Sequence, residues 1–331
     1  MKTLRDIYFD TMLNITSDEF IISKCFDEII HAYESEGRYY HNLEHLKDLF
    51  SELERASHLI DDFNLVNIAV FYHDVIYNPT ANNNEEKSAE FSSNHLKLMR
   101  ASEQLIKTVY EAIIATKKHS ESENNNINIF TDADLSILGT NSEHYKKYSQ
   151  KIRYEYITYP SYLFDNGRIQ ALKQLMDTGR LFKSEYFYKL NEKQALDNLQ
   201  AELDSLVKRN YKSERENGEY VQYLEWDGDL SEFFYKSVEI LDHTKDVHKI
   251  NYYPGWFDSG YYRFTYKGIS LHLEYDGMLG TYLKTEPNSS QKERQVAEEI
   301  FDKLLEVRLE EKEINQLKSY LKKQLTKPKL H

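Results

Sequence analysis

Up to about residue 209 the apolar positions of this chain recur with a helical period nearly throughout. Ser17-Asp18-Glu19 opens a stretch carrying Ile21, Ile22, Phe26, Ile29 and Ile30, and Leu46, Leu49, Phe50 and Leu53 repeat at intervals of three and four. Each predicts an amphipathic helix with one buried face. Leu65 to Tyr77 is apolar almost all round, which predicts a helix covered on every side. Asn78-Pro79 ends it, because a residue before proline avoids the α region. Glu85 to Met99, Ser102 to Thr116, Glu143 to Tyr159, Arg168 to Met176 and Asn191 to Val207 continue the pattern, with a further helix starting at Asp134. Asn82-Asn83-Asn84 and the polar run from Glu121 to Asn128 read as loops.

The charged, glycine-ended segment from Tyr211 to Gly218 reads as a linker, and beyond it the period moves towards two. Tyr261 to Tyr266 and Ile269 to Tyr275 alternate about Lys267-Gly268, a hairpin signature, with Asp276-Gly277 as a second turn before a strand from Leu279 to Thr285. From Ser290 to about Leu321 the helical period returns, and Lys322 to His331 reads as a frayed tail. The expected fold is mainly α: an all-helical bundle over 1–209, then a small α+β domain with an antiparallel sheet over 210–331.

At 331 residues and 40% hydrophobic content the chain supports two cores. Its 42 basic and 55 acidic residues give a net charge of −13, which argues against long nucleic acids and anionic membranes as partners. Cys25 stands alone, excluding an internal disulfide framework or a thiolate-rich metal site. The N-terminus lacks the apolar core of a signal peptide, and no apolar run approaches the roughly eighteen residues of a membrane span. The expectation is a cytoplasmic protein.

Chemistry concentrates in three places: Tyr40-His41-Asn42-Leu43-Glu44-His45, Phe71-Tyr72-His73-Asp74-Val75-Ile76-Tyr77, and Thr131-Asp132-Ala133-Asp134-Leu135. The hydrated pair His73 and Asp74 inside an apolar run is costly to bury without a partner, and a divalent cation is the simplest one. Imidazoles and carboxylates form a mixed nitrogen and oxygen site suited to Mn, Fe, Co, Ni or Zn, and less to Mg. His41 and His45, four apart, are expected on one helix face, one as ligand and the other touching substrate or orienting the first. Asp132 and Asp134 pose the same alternative, Asp132 being placed to cap a helix. A lone histidine on an apolar helix is more often a packed core residue; here three separate segments carry matching chemistry. Most of the 27 tyrosines, and Trp226 and Trp256, read as packing residues, although the tryptophans could mark a partner surface. There is no Walker sequence and no Gly-x-Ser-x-Gly turn.

The order of these residues resembles the metal-dependent HD phosphohydrolase superfamily, whose signature is H…HD…D over an all-helical domain. The nearer likeness is to a bacterial branch of predicted HD-superfamily phosphohydrolases. It is carried by Arg38 to His45, Tyr72 to Tyr77, Asn84 to Ala89, Ala115 to His119, Asp132 to Gly139 and Ile152 to Tyr156, within residues 1 to 208. The resemblance implies hydrolysis of a phosphate ester or anhydride, in a nucleotide or similar small phosphorylated metabolite, by a metal-activated water. It implies metal ligands among His41 or His45, His73, Asp74, and Asp134 or Asp132, with Ala133-Asp134 favouring Asp134. His119 is implied at the same centre, as a phosphate contact or second-metal ligand. Asp74 is a candidate base, Lys117, Lys118, Arg38 and Arg153 are candidate phosphate contacts, and Glu85 or Glu86 could orient a histidine. Residues 210–331 would then recognise a partner, control access or dimerise. The competing readings are a non-catalytic metal-containing sensor or scaffold and an oxygenase using two irons.

Overall fold

The computed structural model describes residues 2–208, 211–225, 231–254 and 259–305. Trp226, Trp256 and the expected tail from Lys322 lie outside them. The fold is mainly α, with a smaller C-terminal part built on an antiparallel sheet. Its two compact units are Met1–Glu155 with Gln174–Ala201, and Tyr156–Lys173 with Glu202 onward. Residues 156–173, helical by pattern, thus group with the sheet. Among the described residues no helix is long and apolar enough to cross a membrane.

The first unit contains α1 (Leu4–Met12), α2 (Glu19–Tyr33), α3 (Leu43–Arg55), α4 (Phe63–Tyr72), α5 (Asn84–Leu98), α6 (Glu103–Ala115), α7 (Asn125–Leu135) and α8 (Ser142–Glu155). The chain then enters α9 (Ser161–Met176) and α10 (Glu185–Val207). Side-chain oxygens of Thr3, Asp18, Asn42, Asp62, Ser102 and Asn124 accept from backbone N–H groups at helix starts, which satisfies donors that helices leave open. Helix α4 is the central one, with Leu65, Val66, Ile68, Ala69, Val70, Phe71 and Tyr72 all buried. It stops at Tyr72, five residues before the expected end, so His73 and Asp74 sit on the turn that leaves it rather than inside it. Helix α7 also departs from expectation. Asn125 to Asn128, read as loop, form its first turn, because Asn124 caps it and Ile127, Ile129 and Phe130 bury. Asp134 therefore lies near a helix end, not at a helix start.

In the second unit six strands run in the order β1-β2-β6-β5-β4-β3, every pairing antiparallel. They are β1 (Lys212–Glu214), β2 (Tyr220–Glu225), β3 (Val247–Tyr253), β4 (Ser259–Tyr266), β5 (Ile269–Asp276) and β6 (Gly280–Thr285). The expected linker is thus the start of a hairpin, its charged residues belonging to an edge strand. The hairpin about Lys267-Gly268 forms as expected, both residues taking the positive φ (51° and 78°) that a tight two-residue turn demands. One sheet face packs Leu224, Tyr262, Phe264, Leu271, Leu273 and Leu283 against α11 (Glu232–Asp242) and α12 (Gln291–Leu304). The opposite face carries a polar row in cross-strand register, Arg263, His272 and Lys284. Beside it, Glu274 accepts from Tyr282 and faces Lys284 at 3.2 Å, Glu219 faces Lys284 at 3.5 Å, and His272 Nε2 meets Glu286 at 2.8 Å.

Candidate metal centre

Asn42, in extended backbone, caps α3, and the first helical turn that follows turns the His45 ring inward, 3% exposed. The expectation that His41 shares this helix face is corrected: His41 precedes the cap. At the end of α4 the His73 N–H still reaches Ala69 O, and its Nδ1 lies 2.9 Å from Val70 O. A carbonyl only accepts, so Nδ1 carries the proton and Nε2 is presented to the interior. Asp74 follows on the turn, its N–H donating to the Tyr33 hydroxyl. Asp134 comes from the last turn of α7, and His119 from the turn after α6 with φ +48°.

These side chains converge. His45 Nε2 lies 3.1 Å from His73 Nε2, His73 Nε2 lies 3.1 Å from Asp74 Oδ2, and His45 Nε2 lies 3.3 Å from Asp134 Oδ1. His45 Nε2 to Asp74 Oδ2 is 3.9 Å, and His73 Nε2 to Asp134 Oδ1 is 3.7 Å. One ligand atom each from His45, His73 and Asp74 falls within 4.8 Å of the others, so this group could hold a metal ion. Two imidazole nitrogens and two carboxylate oxygens crowd together with at most a proton or two among them, an arrangement that calls for positive charge. Adjacent donors around a first-row ion with bonds of about 2.1 Å lie about 3.0–3.4 Å apart, which the three shortest separations match. The residues fit a cation.

Without one, protons take its place. Burial pushes the His73 imidazole down, but the Asp74 carboxylate, its hydrogen bond and Asp134 outweigh that and raise it to about 9. Burial likewise opposes the charged forms of Asp74 and Asp134. The histidines facing them win, His73 and His41 for Asp74 and chiefly His119 and His45 for Asp134, and hold both carboxylates below the usual range.

No protein-family model, curated protein or solved structure matches the chain. The reading of the centre therefore rests on its own residues.

His41 stands apart from the cluster in a specific way. Its Nδ1 meets Glu155 Oε2 at 2.6 Å, its ring stacks on Tyr77 at 4.3 Å, and its Nε2 faces Asp74 Oδ2 at 3.9 Å. Glu155 also accepts from the N–H groups of Tyr40 and His41 and from the Tyr77 hydroxyl, so its buried charge is fully engaged. Burial pushes His41 down, and Glu155 followed by Asp74 brings it above its ordinary value. His119 Nε2 meets Asp134 Oδ2 at 3.1 Å, the oxygen turned away from His45.

The remaining candidates are used elsewhere. Asp132, fully buried, accepts from the N–H groups of Lys183 and Ser184 and from the Ser184 hydroxyl, so it secures the start of α10 and does not join the cluster. Two positions apart on a helix, Asp132 and Asp134 point in nearly opposite directions, which is why only one can serve. Arg38 donates to three backbone carbonyls, those of His41, Asp74 and Val75, and is no phosphate clamp in this arrangement. Lys117 reaches Glu86 and Asn82 O, and both Glu85 and Glu86 face that lysine, not a histidine. Lys183 escaped the sequence reading, and Glu155 entered it only within the Ile152 to Tyr156 motif, with no role at the centre. Glu155 had a signal, since it continues the Tyr148 and Ile152 face of α8; Lys183, 3.6 Å from Asp132, had none.

Proposed function

We propose that the chain is a metal-dependent phosphohydrolase of the HD type, acting on a phosphate ester or anhydride in a nucleotide or similar small phosphorylated metabolite. One observation carries the reading: His45, His73 and Asp74 bring one ligand atom each within 4.8 Å of the others, His73 having its proton on Nδ1, and Asp134 Oδ1 lies 3.3 Å from the His45 nitrogen. The donor set favours Mn, Fe, Co, Ni or Zn over Mg. His45, His73 and Asp74, with Asp134 beside them, would hold the divalent ion, which would supply Lewis acidity to a bound water and to a phosphoryl oxygen.

The chain's own residues do the rest. His41, fixed by Glu155 and stacked on Tyr77, keeps a protonated Nε2 directed at the centre and donates that proton to the departing oxygen. Glu155 stabilises the charged ring and prevents it from turning. His119 steadies the outer oxygen of Asp134, the carboxylate nearest to it. Arg38 positions the Asp74 turn through its carbonyl.

The test is metal analysis of the purified chain together with phosphate release from a nucleotide panel, run beside Asp74→Ala. Metal and turnover lost together in a folded variant support the reading. A folded parent chain that takes up no metal and cleaves nothing ends it.

A further inference from the structure

Away from the metal centre, the first unit holds a cleft of about 460 Å³ between α1, the end of α3 and the start of α4. That is the volume of a small-molecule site. Asn64 and Asn67 of α4 line it. At 1.5 Å per residue they lie about 14 Å and about 9 Å along the helix from His73, so the cleft is separate from the metal ligands.

Its floor is apolar. Ile7, Phe50, Leu53 and Ile60 build it, and Phe50, Leu53 and Ile60 are buried as core residues are. Phe63 stands beside them 48% exposed, a large ring left in water at the edge of a cavity. Covering such a ring is favourable by about 25 cal/mol per Å² of apolar surface, so the cleft gains from an apolar occupant.

The polar groups around this floor are held in place by bonds between α1 and α4. Asn14 Nδ2 donates to Asp10 O at 3.1 Å and to Asn64 Oδ1 at 3.0 Å, and Asn67 Nδ2 donates to the Thr11 hydroxyl at 3.0 Å. The carboxamide oxygens of Asn14 and Asn67 accept from no donor among the described residues. Charge in the lining is negative on balance: Asp10 and Glu54 stand against Lys2, and Lys2 is paired with Asp10 at 2.7 Å. Glu54, exposed, meets no cation among the described residues, and exposed Asp61 and Asp62 directly precede Phe63. Donors remain as well, the Asn64 amide and the Ser57 hydroxyl, but both are neutral.

An occupant that matches these groups is apolar over most of its body and carries donors and positive charge at one end. An ammonium has three donors and no acceptor, and the face of a phenylalanine ring attracts it too. A carboxylate or phosphate in its place would meet Glu54 and Asp10. We propose that this cleft binds a small organic amine in its ammonium form, its apolar body on Phe50, Leu53, Ile60 and Phe63, and its charged end at Glu54 and the carboxamide oxygens. The site is independent of the hydrolase reading, since none of these residues belongs to the metal centre.

Three probes with one phenyl body and different heads test it: 2-phenylethylammonium, 2-phenylethanol and 3-phenylpropionate. The full chain is titrated with each by ligand-observed NMR in low salt at about pH 7.5, where an alkylammonium is charged. The ammonium is expected to bind about tenfold more tightly than the alcohol, and the carboxylate most weakly. Glu54→Gln is expected to bring the ammonium down to the affinity of the alcohol and to leave the alcohol unchanged, whereas Phe63→Ala weakens both. Both positions are exposed, so the variants keep the fold, which circular dichroism checks. An alcohol or carboxylate that binds as tightly as the ammonium, or binding of none of the three, overturns the proposal. So does ammonium binding that either variant leaves unchanged, or that Asp74→Ala removes, because each places the amine elsewhere.

Discussion

The two units use the same residue types, histidine with Asp or Glu, to opposite effect. On the sheet these acids face cations or donors: Glu274 and Glu219 share Lys284, with Tyr282 and Arg215 beside them, and Glu286 meets His272. Burial pushes Glu274 up, yet His272, Lys284 and Tyr282 bring it down to about 2. In that network acids face cations and donors. In the helical unit acceptors meet acceptors, and two cations whose charges act on Asp74 and Asp134, Arg38 and Lys183, lie against a carbonyl cluster and Asp132. What marks a site is therefore the unpaired balance of donors and acceptors, not the number of histidines and acids in one place.

Substitutions sharpen that contrast. Asp74→Ala is expected to abolish metal uptake and lower turnover by about a thousandfold or more, whereas Glu274→Gln leaves the metal content of the same protein unchanged; metal analysis and a rate assay check both. Equal metal loss in the two variants would break the comparison. His41→Gln is expected to keep the metal and lose about 10²–10⁴ in kcat, with a larger loss for alkoxide than for nitrophenolate leaving groups.

Proton competition gives a third measure. Because His73 is held up to about 9 without a cation, Mn²⁺ must displace its proton, and the apparent affinity is expected to fall about tenfold per pH unit below that value, read by titration calorimetry. The sign for stability follows from the same shift. A raised pKa stabilises below the ordinary value of 6.5, and that contribution disappears as pH rises towards 9, so the metal-free chain loses Tm across that window. The smallest effect belongs to the sheet. Glu274→Gln is expected to cost about 1 kcal/mol at pH 7, discounted for partial exposure, with the difference from the parent shrinking as pH falls from 4.5 towards 2. Denaturant melts of both proteins at several pH values measure it.

Much of the fold was legible where one face of an element is buried. Helices α2, α3 and α6, and the β4–β5 hairpin, follow directly from period and turn chemistry. Elements with little one-sided burial were misread or passed over: β1, taken as linker, is an edge strand of exposed or half-exposed polar residues, and β3, with a mostly exposed pattern, gave no signal. The asparagine-rich start of α7 looked like loop because the residues that cap helices also build turns. His73 and Asp74 were marked by the apolar run around them, and Asp134 only by the resemblance, against Asp132. The choice of His45 over His41 needed the exact entry to α3, and that of Asp134 over Asp132 needed the neighbour that Asp132 caps. Both are tertiary facts.

Arg38 fastens the carbonyl of His41 to those of Asp74 and Val75. The segment bearing His41 and the segment bearing Asp74 are thereby riveted by one planar group, although 36 positions separate Arg38 from Asp74. A lysine has a single nitrogen and cannot span the same three oxygens. A scan that scored only catalysis would rank position 38 among the chemical participants, and Arg38→Lys would fail there almost as badly as Arg38→Ala, despite keeping its charge.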